Sequence, residues 1–205
     1  MDIKRINTYA DPRFQQSVLN QHGCFLVNGE PYEIEILSDF EAVVRGRDTS
    51  YFPAVIEEFR FYTPHITVFY DNNRRIIQQF PEAELLTIPL EDIQPSQFYV
   101  DEDKVAAIGS FIHKKEDIII QVLRNGDRFI SLDGHTRLYY AVMRGWETVR
   151  AVEETSSDYI YDFAEEAISR DIRTPHDLKL VFHSEYEDKW NKFCDDYFAA
   201  NESQE

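Results

Sequence analysis

Residues 133–137 read Asp-Gly-His-Thr-Arg, between an apolar strand-like run that closes at Asp133 and a helix-like pattern that opens at His135. A strand-to-helix corner exposes backbone N–H groups with partial positive charge, which suits an anion. Gly134 lets the backbone approach a ligand closely. Arg137 offers a planar, two-pronged donor for phosphate, and Thr136 adds a hydroxyl. His135 can donate a hydrogen bond or move a proton near neutral pH. Asp133 can orient a hydroxyl or hold Mg²⁺. Together these are the groups that binding a nucleotide polyphosphate, or phosphoryl transfer, demands. The same residues also make a good turn and cap, with Arg137 paired to a nearby acid.

Other chemistry-bearing residues are sparser. His176, His183 and Glu187 lie seven and four residues apart in the last segment, where exposed or capping roles are expected and no metal site is assigned. There is no Walker loop, no dinucleotide-binding glycine pattern and no nucleophile elbow. Arg74 and Arg75 are a basic pair beside the turn residues Asp71-Asn72-Asn73 and are expected as exposed hairpin arginines.

The elements that must position the corner fall into three segments. Residues 1–82 read as a small α+β unit. It has a short helix from Asp11-Pro12 through Leu19 and a strand in which Tyr32, Ile34 and Ile36 alternate with Glu33 and Glu35. A second strand follows near Ala42–Arg45. Next come a helix carrying Phe52, Val55, Ile56 and Phe59 on one face, capped by Thr49 or Ser50, and a hairpin around Asp71-Asn72-Asn73. Residues 83–155 give a strand ending near Pro95, a helix with Val105, Ile108, Phe111 and Ile112 on one face, and a hairpin turning at Asn125-Gly126. The corner helix, stopped at Gly145, and a last strand complete this segment. Residues 156–205 read as a mostly helical extension whose Leu178, Phe182, Tyr186, Trp190, Phe193 and Tyr197 form a core-facing stripe.

The chain has 205 residues, with 43% hydrophobic and 14% aromatic residues, a globular composition. Its 38 acidic against 21 basic side chains give a formal net charge of −17, which repels phosphate backbones over a screening length of about 8 Å and disfavours DNA as a partner. Residues 151–205 alone hold 15 acids against 5 bases, and a solvated face accounts for them. Two cysteines far apart, no apolar leader and no apolar run near the roughly 20 residues of a membrane span lead us to expect a cytoplasmic protein without disulfides.

Residues 85–154 resemble the ParB/sulfiredoxin superfamily, because the strand with "IPLEDIQPS", a helix, a hairpin and "LDGHTRLYYA" follow in that order. The nearest likeness is to its free-serine kinases, whose corner is DGHHR-like: Asp133, Gly134, His135 and Arg137 match, and Thr136 departs. The resemblance implies an α+β, ParB/sulfiredoxin-like fold that binds ATP or a related nucleotide with Mg²⁺. Gly134, His135, Thr136 and Arg137 would hold the nucleotide, and Asp133 and His135 would serve phosphoryl transfer to a small hydroxyl metabolite. Sulfiredoxin's catalytic cysteine is replaced by His135, which argues against sulfinic acid reduction. The partition ParB corner matches only at Gly134 and Arg137, and no basic recognition helix follows. The kinases' catalytic glutamate falls where Ser96 and Gln97 stand, so a non-catalytic regulatory or protein-interaction module on the same fold remains the alternative.

Overall fold

The structure, a computed structural model, describes residues 1–202. The chain is α+β, and it divides into two compact units, Met1–Leu85 and a second beginning at Leu86. The segment from 156 onward is no separate unit. Its Ala167, Ile172 and Leu178 are buried in the same core as Ile120, Val122 and Leu138.

The first unit contains β1 (Ile3–Arg5), α1 (Gln16–Asn20), β2 (Cys24–Val27), β3 (Glu30–Ile36), β4 (Glu41–Arg45), α2 (Phe52–Tyr62), β5 (Val68–Tyr70) and β6 (Ile76–Gln79). Its six strands form one sheet in sequence order, antiparallel except where α2 crosses over to make β4 and β5 parallel. The alternation in β3 holds: Tyr32 and Ile34 are buried and Ile36 is partly so. The Phe52, Val55, Ile56 and Phe59 face of α2 packs on Phe25, Val44 and Phe69. Two local expectations shift. Asp48, not Thr49 or Ser50, caps the turn leading into α2 by accepting the Ser50 amide at 2.9 Å. Helix α1 starts later than expected because the Asp11 carboxylate accepts the Arg13 amide and guanidinium, a local turn that competes with a helix start.

The second unit contains β7 (Leu86–Pro89), β8 (Ile93–Pro95), β9 (Tyr99–Asp101), α3 (Glu102–Ile108), β10 (Ile119–Asn125), β11 (Arg128–Asp133) and α4 (His135–Met143). It continues with β12 (Thr148–Glu153), α5 (Tyr159–Ser169), β13 (Lys179–Val181), α6 (His183–Tyr186) and α7 (Lys192–Glu202). Five strands form a mixed sheet in the order β7-β12-β10-β11-β8, and β9 pairs with β13 in a separate parallel ribbon. The turn between β10 and β11 falls one residue later than expected. Asn125 pairs with Arg128, so Gly126 and Asp127 form the loop, with Gly126 at φ +62. A positive φ at the first loop residue suits the right-handed twist of a hairpin.

Two further departures bear on function. The pairing of β9 with β13 joins residues 99–101 to 179–181, a long-range match that short runs of mixed polarity do not signal. The aromatic stripe is also broken. Leu178 and Tyr186 are buried, and Trp190 and Phe193 pack on Phe98 at ring separations of 4.9 and 5.1 Å. Phe182 lies ahead of the first turn of α6 and is 63% exposed.

Candidate functional site

The corner forms where the sequence places it. Hairpin β10–β11 carries a bulge there: Gln121 pairs with Asp133 and Val122 with Ser131, which leaves Leu132 as the extra residue. A bulge re-aims the end of its strand. Gly134 then takes a left-handed conformation, φ +89, as the residue before α4, with no side chain capping the helix. A Cβ at that position would stand 2.6 Å from Ile120 Cγ2 and 3.1 Å from Arg137 Nε. Both the dihedral and the space therefore require glycine.

His135 does not face outward. It is 6% exposed, and its Nε2 lies 2.9 Å from Ser131 Oγ and 3.2 Å from the Ser96 amide. The amide can only donate, so Nε2 carries the lone pair and the ring is neutral with its proton on Nδ1. Burial, reinforced by the Arg137 charge and offset in part by Asp133, lowers its pKa to about 4. Ser96 Oγ donates to the Ser131 carbonyl at 2.7 Å, which closes a small buried network. In this geometry His135 ties the start of α4 to β11 and to Ser96 just after β8, and the proton-transfer role expected of it lacks access to a ligand.

Arg137 donates through one nitrogen to the Ile119 carbonyl and through the other to Asp133 Oδ2 at 2.9 Å. Its side chain is 21% exposed and that of Asp133 50%. Thr136 lies on the first turn of α4, partly exposed. The corner therefore leaves Asp133, Thr136 and Arg137 partly exposed around a buried Gly134 and withdraws His135. Ser96 and Gln97 are both buried, 3% and 9% exposed. Gln97 Nε2 donates to the Tyr99 carbonyl and lies 3.3 Å from the Tyr186 hydroxyl. Neither residue is a base.

The structure assembles a second cluster that sequence spacing does not reveal. Asp101 closes β9 with its carboxylate 1% exposed. One oxygen accepts the Asp103 amide at 2.9 Å, and the other lies 2.7 Å from His183 Nδ1. His183 Nε2 in turn lies 3.5 Å from Glu187 Oε1. The hydrogen bond that His183 donates to Asp101, then the charge of Asp101, raise the His183 pKa above the ordinary histidine value. Only the β9–β13 pairing brings these residues together. Reading the terminal segment alone groups His183 with Glu187 and His176, and His176 stands apart as an exposed residue of the 175–177 turn.

Elsewhere, Arg74 and Arg75 are exposed at the β5–β6 turn, as expected. Both cysteines are free thiols. Burial pushes Cys24 up to about 12 and Cys194 up to about 11, so neither is a ready nucleophile. An open groove of about 510 Å³ in the first unit is lined by Tyr32, Arg47, Asp48, Thr49 and Tyr51 among others. Among the described residues, no helix is long and apolar enough to cross a membrane.

No protein-family model matches the chain. No curated protein matches it either. Among solved structures, the chain is similar to protein Atu1540 from Agrobacterium tumefaciens, at 20% identity over 47% of this chain and 61% of that one, with a TM-score of 0.36.

Proposed function

We propose that the second unit binds an ATP-type nucleotide by its phosphates at the β11–α4 corner, on a ParB/sulfiredoxin-like fold. The observation that carries this reading is the corner itself. A nine-residue helix opens on a left-handed glycine with no side-chain cap, and a guanidinium is fixed beside that glycine. The first-turn amides and the helix dipole favour an anion there. Arg137 has five N–H donors, and two hydrogen bonds anchor its plane while leaving others for phosphate oxygens. The strand, helix, hairpin and corner helix that carry the resemblance correspond to β7, α3, β10–β11 and α4, with β8 and β9 lying between β7 and α3.

The half-exposed Asp133 carboxylate fits the usual protein contribution to a nucleotide-bound Mg²⁺, one or two carboxylates with phosphate oxygens supplying the rest. Magnesium would neutralise phosphate charge at that spot. Phosphoryl transfer to a hydroxyl metabolite is the less supported extension, because His135 is buried and Ser96 and Gln97 offer no base. The second reading is an interaction module with no small ligand, and the internal pairing of Arg137 favours it.

Calorimetry of the full chain with ATP, ADP and CTP, each with Mg²⁺, separates the two readings. About micromolar affinity that Arg137→Ala weakens about tenfold or more supports the nucleotide site. Absence of heat with all three nucleotides, or an affinity that Arg137→Ala leaves unchanged, removes it and leaves the interaction module.

A further inference from the structure

We propose that Asp101, Asp103 and His183 form a binding site for one divalent transition-metal ion of the zinc type, separate from the Gly134 corner. Each residue presents one ligand atom, and the three atoms lie within 4.8 Å of one another. Ligand atoms sharing one such ion, at bond lengths near 2.0–2.2 Å, stand roughly 3–4 Å apart, so small side-chain rotations close the set. The donors come from regions 82 residues apart in the chain and meet because β13 pairs with β9, with Val181 opposite Asp101. His183 follows two residues later, at the first turn of α6.

Three features separate this group from a patch of surface acids. Asp101 is a buried carboxylate, 1% exposed, whose orientation is fixed by the Asp103 amide. A second carboxylate, Glu187, stands on the far nitrogen of His183, in the outer position that fixes the tautomer and ring plane of a metal-bound imidazole. The outer side of the site is open: Asp103 is exposed and the His183 side chain is 56% exposed, so water or an oxyanion can complete the coordination. The imidazole makes the site a transition-metal one, since Mg²⁺ and Ca²⁺ prefer oxygen alone. Lys104, over the Tyr186 ring at 4.3 Å, is the neighbouring cation. A proton on His183 competes with the metal, so binding is best measured near pH 8.

The test uses the full chain stripped with a chelator, titrated with ZnCl₂, MnCl₂ and MgCl₂ by calorimetry and followed by thermal unfolding. One Zn²⁺ per chain is expected, with a raised unfolding temperature. His183→Gln should abolish uptake. Asp103→Asn, at an exposed side chain, should weaken it about tenfold or more while leaving the unfolding temperature in chelator unchanged. Failure of the wild type to take up Zn²⁺ would overturn the site. So would equal Zn²⁺ affinity in wild type and both variants, which locates the ion elsewhere on the acidic surface, or Mg²⁺ binding as tightly as Zn²⁺.

Discussion

His135 and His183 lie in the same unit and stand in opposite environments. His135 is flanked in sequence by Asp133 and Arg137, yet it is 6% exposed, neutral and bonded to Ser131 and Ser96. His183 has Glu185 and Glu187 close by in sequence, yet Asp101 and Asp103 from a distant segment join Glu187 around it, and its side chain is 56% exposed. The local motif thus points to a histidine that the fold uses as a rivet. The histidine with an open, charged surrounding is assembled by strand pairing between distant segments. Burial sets one ring's protonation, and the hydrogen bond to Asp101, then its charge, sets the other's.

The largest expected effect tests that contrast through acid stability. The folded-state pKa of His135 is lowered from 6.5 to about 4, so above 6.5 the ring is neutral whether folded or not. As the pH falls from 6.5 towards 4 the unfolded chain takes up a proton that the folded one refuses, and stability is lost. That loss is on the order of 3 kcal/mol, and it stops below about 4. Urea unfolding followed by tryptophan fluorescence reports this unit, because both tryptophans, Trp146 and Trp190, lie in it. His135→Gln should flatten the curve between pH 6.5 and 4 relative to wild type. His183 has a raised folded-state pKa, so its pairing with Asp101 contributes below 6.5 and fades as the pH rises through that raised value. Ring resonances of the metal-free protein should therefore titrate on opposite sides of 6.5. Both titrating on one side would end the contrast.

A smaller effect separates the corner glycine from an ordinary turn glycine in the adjoining hairpin. Gly134→Ala combines a positive φ with a Cβ 2.6 Å from Ile120 Cγ2, and should cost about 2–4 kcal/mol. Gly126→Ala has the positive φ but meets nothing within 4 Å, and should cost about 1 kcal/mol. Equal costs in the same urea experiment would mean that backbone strain, and not the close approach of Ile120, fixes the corner.

These comparisons show what the sequence makes legible. The β11 strand, Gly134 and α4 form a contiguous stretch, and apolar period and turn chemistry suffice to place them. The alternation in β3 and the buried face of α2 are legible for the same reason. Local patterns do not carry the depth of His135, which depends on Ser96, 39 residues away. They do not carry the β9–β13 ribbon either. Its partners, Tyr99-Val100-Asp101 and Lys179-Leu180-Val181, are too short for periodicity to detect. The same gap hides the Asp101–His183 cluster and sets the C-terminal segment apart from the second unit, into whose core it packs. Residues whose meaning depends on long-range pairing are the ones single-sequence reading misplaces.

The smallest effect sharpens the role of Asp133. Its ion pair with Arg137 is of the i,i+4 type and half-exposed, worth about 0.3–0.5 kcal/mol, so Asp133→Asn should leave stability nearly unchanged. Its effect on binding is more informative. Arg137 is shared between Asp133 and any incoming anion, so removing the carboxylate charge should raise phosphate affinity a few-fold in the absence of Mg²⁺, most clearly at low salt. If Asp133 instead contributes to holding Mg²⁺, the same substitution should lower nucleotide affinity when Mg²⁺ is present. Calorimetry with and without the metal reads both signs on one variant. Opposite signs in the two conditions would assign Asp133 both roles, competitor of the free anion and ligand of its metal complex. No change in either would detach Asp133 from the ligand and leave its carboxylate as the brace that holds Arg137 in plane.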